Sequence, residues 1–306
     1  MTEQPLMVGL GEVLWDFLPS GKLLGGAPTN FAYMASVLGD RGVVASRVGN
    51  DNLGREAYDQ LERLGLNTAY LQQDPLSPTG TAGVALDSFG QPTFSIQESV
   101  AWDRLQWTPE WQELAARADV ICFGSLAQRS ETSADTIDLF LSSCKPDALR
   151  IFDVNLRQSY YAQKILTRSL GHANIVKLAE QELIAVGSLL GLQGSSTKSL
   201  ARQLRQIHEI ELVCVTRGAN GSLLVSEHEC VSHPGFAVKV VDSVGAGDAF
   251  TACLAHHLVR GHSLSEISGY ANRFASWVAT QVGATPEVNP PKVMELLRDV
   301  GVSKPC

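Results

Sequence analysis

The chain has 306 residues, 44% apolar and 18% charged, enough to bury a large core as one domain or two smaller ones. Its net charge is −8 with no Lys/Arg cluster, which argues against nucleic acid or an anionic membrane surface as partner. No stretch approaches the ~20 consecutive apolar residues of a membrane span, and residues 1–6 show no basic start leading into a long apolar run, so no signal peptide is expected.

The chain opens with a predicted strand at Leu6–Leu10. Gly9-Leu10-Gly11 follows it, but position 14 is Leu where a dinucleotide fingerprint needs its third glycine. Gly21-Lys22 is followed by Leu23 rather than Ser or Thr, so no Walker loop stands there. Residues 12–24 are strand-like and have no helix behind them. Gly25-Gly26-Ala27-Pro28-Thr29-Asn30 comes next, a glycine pair that lets a backbone or ligand approach closely. Asn30 falls in the first turn of a predicted helix, Pro28–Leu38, started by Pro28 and stopped by Gly39. Its amide suits a polyol and equally a helix-terminal hydrogen bond.

A strand at Val43–Val48 and a helix at Gly54–Leu64 continue the rhythm. Residues 79–105 break it. Thr81–Leu86, Gly90 and Gln91–Ile96 read as a hairpin, which with 12–24 could form a small antiparallel sheet. A lid and an ordinary edge hairpin both fit. Alternation then resumes with strands at Val120–Phe123, Arg150–Val154, Ile175–Leu178 and Leu212–Thr216. The predicted helices are Thr132–Ser143, Glu180–Leu190, Thr197–His208, Asp248–Val259 and Leu264–Gln281. Such alternation predicts an α/β fold, a mostly parallel sheet with helices on both faces.

Ligands of open α/β sheets bind outside the carboxyl ends of the strands. Phe152-Asp153-Val154-Asn155-Leu156-Arg157 stands at one such end, and Arg157 there could grip phosphate or carboxylate in a fork or form a surface ion pair. Val215-Thr216-Arg217-Gly218 ends another strand in a glycine turn. The most informative stretch is Asp242-Ser-Val-Gly245-Ala246-Gly247-Asp248-Ala-Phe250. A strand-like run, 236–241, precedes it and a helix follows. A small-residue turn at a helix start aims backbone N–H groups at an anion. Asp248 placed there reads either as a helix cap or as a base beside a phosphate.

The six cysteines, at 122, 144, 214, 230, 253 and 306, form no C-x-x-C pair and lie partly in apolar runs. They read as free thiols in a reducing cytosol. No Cys/His ligand spacing suggests zinc, and adjacent His256 and His257 would point about 100° apart on a helix.

Together these stretches resemble the ribokinase-like (PfkB) family of carbohydrate kinases over nearly the whole chain. Gly25-Gly26-x-x-x-Asn30 is similar to the family's first signature, and Asp242–Asp248 to its second, with Ser243 where Thr is commoner. Gly-Glu-Val-Leu-Trp-Asp-Phe-Leu-Pro (11–19), Val-Ala-Trp-Asp (100–103) and Asp-Val-Asn-Leu-Arg-Gln (153–158) are similar to bacterial fructokinases. The resemblance implies one ribokinase-like domain over 1–306, three-layered, with a β-sheet lid at 12–24 and 79–105. It implies transfer of the ATP γ-phosphoryl group to a hydroxymethyl oxygen of a ketohexose, fructose before ribose or 2-keto-3-deoxygluconate. A silent binding protein keeping the fold is the rival of another class.

Carried over by residue, Asp248 would be the general base, and the N–H groups of Gly245, Ala246 and Gly247 the anion hole. Asp16, Gly25, Gly26, Asn30 and Trp102 would hold the sugar, with Arg157 at its far end or near phosphate. Asn155, Thr216, Gly218 and Asn272 would border the nucleotide, and Glu182 would order water around Mg²⁺. One departure touches that shell: Ala179 stands where the family often has Asn. Asp242 and the backbone at Val244 resemble a K⁺ site. A cytoplasmic location and a homodimer through the lid are also implied.

Overall fold

The computed structural model describes residues 4–18, 21–86, 92–288, 293, 295–297 and 304–306. Seven strands run parallel: β1 (Leu6–Leu10), β4 (Arg41–Gly49), β5 (Leu71–Asp74), β8 (Val120–Phe123), β9 (Leu149–Asp153), β10 (Ile175–Ala179) and β11 (Leu212–Thr216). Their spatial order is β11-β10-β9-β8-β1-β4-β5. β12 (Ser222–Val225), β13 (Cys230–His233) and β14 (Lys304–Pro305) extend the β11 edge antiparallel.

Alternate residues of these strands feed two apolar layers, because successive side chains of a strand point to opposite faces. Val8, Ile121, Phe152, Val176 and Val213 face one layer; Met7, Val120, Ile151, Ile175 and Leu212 face the other. α3 (Pro109–Arg117), α4 (Glu131–Ser142), α5 (Gln163–His172), α6 (Glu180–Leu190) and α7 (Thr197–Ile207) cover the first. α1 (Ala27–Val37), α2 (Asn52–Arg63), α8 (Ala246–Leu258) and α9 (Leu264–Val278) cover the second. α1 and α8 pack side by side there, which brings the two glycine-rich stretches of the sequence together.

A second sheet, order β3-β2-β6-β7, stands apart: β2 (Leu14–Leu18), β3 (Gly21–Gly25), β6 (Gly80–Leu86) and β7 (Pro92–Ile96). The expected hairpin is present as β6 and β7; its turn around Gly90 lies outside the described residues. The sheet is not wholly antiparallel as expected, since β2 and β6 run parallel. Nor does it include all of 79–105. Ala101–Arg104 is a 3-10 turn buried except at Arg104, and Trp102 is fully buried in the first apolar layer beneath the Arg129 guanidinium, 3.9 Å from its ring.

Other expectations need correction. The run 236–241 forms no strand and leaves Val240 and Val241 59% and 58% exposed. Its Val241 N–H bonds instead to Ala279 O, in the turn after α9. The helix predicted from Asp248 begins at Ala246, and α9 stops at Val278, short of the expected Gln281. Cys230 and Cys306 are joined in a disulfide rather than free, because the pairing of β14 with β13 brings their Cα atoms to 5.3 Å. Cys122, Cys144, Cys214 and Cys253 are free. Among the described residues no helix is long and apolar enough to cross a membrane, and no His/Cys/Asp/Glu group is arranged for a metal.

Candidate active site

A cavity of about 450 Å³ opens between the two sheets, lined by the loop after β1, β2, β3, the start of α1, the loop after β9 and the turn before α8. That volume suits a small ligand. Clefts of about 590 and 1000 Å³ lie elsewhere, but neither sets a buried carboxyl and a buried ammonium at its wall as this one does with Glu12 and Lys177.

The glycines make room for the polar groups. A Cβ on Gly25 would stand 2.4 Å from Asp16 Oδ2, and one on Gly26 2.4 Å from Glu12 O. Gly26 at φ +109 then starts α1, and Asn30 sits one turn in, its N–H donating to Gly26 O. Asn30 is buried, and its Nδ2 donates to Asp248 Oδ2 at 2.7 Å. Among the described residues, Asn30 Oδ1 and Glu12 Oε2 are buried acceptors without a protein partner. Two unmet acceptors beside one cavity fit a ligand that brings hydroxyl donors.

Gly245 caps α8 in the left-handed region, φ +78, with Ala284 packed where a Cβ would go. The helix has no side-chain cap, so Asp248 does not serve as one; its carboxylate faces the cavity instead. The N–H groups of Gly245 and Gly247 meet no protein acceptor among the described residues, whereas the Ala246 N–H turns to Ser243 O at 3.3 Å and Ala246 does not line the cavity. The anion receptor is thus narrower than the three expected residues. Asp242 braces it: Oδ1 accepts from Val244 N and Oδ2 from Gly283 N, each at 3.0 Å.

Four acids, Glu12, Asp16, Asp242 and Asp248, line the cavity against Arg157 and Lys177. Burial pushes the Asp248 carboxyl up to about 6; the Asp153 charge adds to this, while Lys177, the Asn30 hydrogen bond and Arg157 pull it back. Burial likewise lifts Glu12 to about 7. Asp16 is raised by burial and lowered by Arg157.

After β9, Asn155 takes φ +44, a conformation Asn tolerates better than most residues, and Arg157 is left exposed at the cavity, its guanidinium bonding only to Leu156 O among the described residues. Glu182 pins this loop. Its Oε1 accepts from Leu156 N and its Oε2 from Ala179 N, at 2.8 and 2.7 Å, so it is neither a bare surface residue nor a wholly free one.

Not every expected residue joins the cavity. Trp102 is in the core, and Thr216 and Gly218 lie at the end of β11 outside the cavity lining. Asn272 is buried between α9 and β12, donating to Ser222 Oγ and Ser268 O at 2.7 Å each; both amide protons are spent on the fold. The sequence reading passed over Glu12 and Lys177. Their signal was a charged residue in or just after an otherwise apolar strand, which a parallel strand buried on both faces rarely carries without a use.

The pfkB family carbohydrate kinase model matches residues 21–291. A fructokinase from Salmonella typhimurium is 31% identical over 260 residues, 80% of this chain and 81% of its own length. One from Vibrio alginolyticus is 29% identical over 310 residues, 95% and 97% of the two chains. Among solved structures, a fructokinase double mutant from Vibrio cholerae O395, in fructose, ADP and potassium ion bound form, superposes with a TM-score of 0.79. Its identity is 27%, over 96% of this chain and 98% of that one.

Proposed function

The chain belongs to the pfkB family of carbohydrate kinases, and we propose that it phosphorylates a hydroxymethyl oxygen of a ketohexose, fructose giving fructose 6-phosphate, at the expense of ATP. The observation that carries this reading is Asp248: in the first turn of α8, not capping it, held at 2.7 Å by Asn30 and facing the same cavity as unpaired helix-start N–H groups.

The sugar lies between the two sheets, its hydroxyls on Asp16, Asn30 and the Gly25-Gly26 backbone. Asp248 accepts the proton of the attacking hydroxyl as its oxygen bonds to the γ-phosphorus. The bond to the bridging oxygen breaks, and that electron pair leaves on ADP. The N–H groups of Gly245 and Gly247 and the positive end of α8 take the charge on the transferring group. A raised pKa near 6 keeps the carboxylate ionised at neutral pH yet basic enough to take a proton.

Two cations fit the residues present. Asn155, which lines the cavity, and Glu182, which pins its loop, would hold the water shell of Mg²⁺, which would supply neutralising charge to the phosphates. Glu182 keeps lone pairs to spare beyond its two backbone bonds. Asp242, with carbonyls of the two loops it joins, would be the oxygen set that holds a K⁺ ion.

Arg157, exposed at the cavity, favours a second reading, a keto-acid sugar whose carboxylate it grips. Glu12, Asp16, Asp242 and Asp248 weigh against it, since an anionic sugar would meet four acids. Turnover measured over hexoses, pentoses and 2-keto-3-deoxygluconate decides. Fructose is expected to give the highest kcat/KM, and a preference of about tenfold or more for another sugar overturns the substrate but not the kinase. Absence of ADP formation with any of them would favour a silent binding protein.

A further inference from the structure

Two charges that this mechanism leaves unused lie under the turn before α8. Lys177 in β10 and Asp153 in β9 are register partners on neighbouring strands, on the sheet face that α8 covers. Both are buried, 7% and 3% exposed. Lys177 Nζ stands 3.0 and 3.1 Å from the two Asp153 oxygens, and Thr251, a turn beyond Asp248 on α8, donates its hydroxyl to Asp153 Oδ2 at 2.9 Å. As a device for joining two strands this is costly. Both ions lose their hydration, and an apolar pair of similar volume often serves as well or better.

Its position suggests another use. A Cβ built on Gly247 would stand 2.9 Å from Lys177 Nζ, and its one other neighbour within 4 Å would be Lys177 Cε. The ammonium therefore occupies the space left by that glycine, whose N–H belongs to the anion receptor. Lys177 also lines the cavity beside Gly245, Gly247 and Asp248. An ammonium has three protons. The two hydrogen bonds Lys177 makes both go to Asp153, so a third proton has no protein acceptor among the described residues.

We infer that Lys177 is a catalytic donor of the anion hole. Its third N–H and the N–H groups of Gly245 and Gly247 converge on the oxygens of the transferring phosphoryl group, while Asp153 and Thr251 fix the ammonium. No bond to Lys177 forms or breaks. It supplies charge where negative charge gathers as the sugar oxygen bonds to phosphorus and ADP departs. In a cavity lined by four acids, this cation also offsets the repulsion of an incoming phosphate. The inference rests on the phosphoryl-transfer reading above.

The test compares two variants of the whole chain. Lys177→Met alone strands a buried Asp153 and can fail to fold, so the change is made on a neutralised background: Asp153→Asn against Asp153→Asn/Lys177→Met. Each is assayed with fructose and ATP, and each is titrated with ADP alone and with ADP, fructose and aluminium fluoride, which mimics the transferring group. Removing one such donor costs about 10²-fold or more in turnover. The double variant is therefore expected to have a kcat about a hundredfold below that of Asp153→Asn. It should lose affinity for the aluminium fluoride complex by a similar factor and keep its affinity for ADP alone. A difference in kcat below about tenfold, or loss of kcat with unchanged aluminium fluoride affinity, overturns the inference and leaves Lys177 a structural partner. Wild-type protein that phosphorylates no sugar would overturn the kinase reading, and this inference with it.

Discussion

At the scale of single residues, chemistry and stability pull against each other in this cavity. Asp248 is the sharpest case. Asp248→Asn keeps its size but cannot take a proton, so kcat is expected to fall by roughly 10²–10⁴-fold, while the melting temperature at neutral pH is expected to rise, because a carboxylate that folding pushes up to about 6 is replaced by a neutral amide. A variant keeping more than about a tenth of wild-type kcat, against that range, sinks the assignment. Because the base works ionised, wild-type kcat should rise with pH through about 6. Asn30→Ala removes a donor to the charged form, so that limb should move to higher pH. Glu12 makes the matching stability argument. Folding raises Glu12 from 4.5 to about 7 and Asp248 from 3.8 to about 6, so the folded state binds protons more tightly than the unfolded one. Their contribution is greatest below the unfolded values and is lost as pH climbs from about 4 to about 7. Glu12→Gln should flatten this decline and raise the stability of the ligand-free protein at pH 8, on the order of 1–3 kcal/mol. Urea denaturation at pH 5 and pH 8 measures it; equal slopes for variant and wild type would show that Glu12 is not held neutral.

At the scale of elements, the predicted β1, β8, β11 and α6 have the boundaries observed, because each is a short apolar run or an amphipathic stretch with its own stop signal. α3 was not read from the sequence, although Thr108 caps it and Pro109 opens it; its few apolar positions hid the period, and the cap was the only cue. The run 236–241 misled in the opposite sense. Its valines have strand propensity, but propensity is satisfied only where a neighbouring strand offers pairing, and here the chain bonds to Ala279 instead. That exchange matters for the anion receptor, since 241–245 and 279–284 are tied by the Val241 and Asp242 N–H groups to Ala279 O and by the Gly283 N–H to Asp242 Oδ2. A K⁺ ion seated between them should stabilise the ordered turn. Turnover in K⁺ is expected to exceed turnover in tetramethylammonium at matched ionic strength, and equal rates would reject the site.

At the scale of the molecule, the layered architecture was legible because alternating strands and helices leave few other ways to bury both kinds of apolar face. The site was legible where its residues sit in glycine-rich turns, as Asn30 and Asp248 do. It was not legible at Lys177 or Glu12, whose meaning depends on which strands become neighbours. Nor was the Cys230–Cys306 bond, which follows from β14 returning to the sheet edge. The second sheet leaves Phe17, Leu18 and Leu23 40–44% exposed, apolar surface that a second copy of the chain would cover. Sedimentation at micromolar concentration is expected to show a dimer that Phe17→Glu/Leu23→Glu converts to monomer; a monomeric wild type would refute it.

The hydrogen bond between Asn30 and Asp248 spans 218 residues of chain. Such distant partners meet late, because closing a long loop must precede any reward from the contact. During synthesis the amino-terminal half can pair β1 with β4 and β8 while the base is still unmade. A ribosome-bound chain therefore carries a half-formed sugar pocket with no means of spending ATP. Activity should switch on in one step, when α8 docks against α1, and regain of turnover on refolding should trail regain of helix signal.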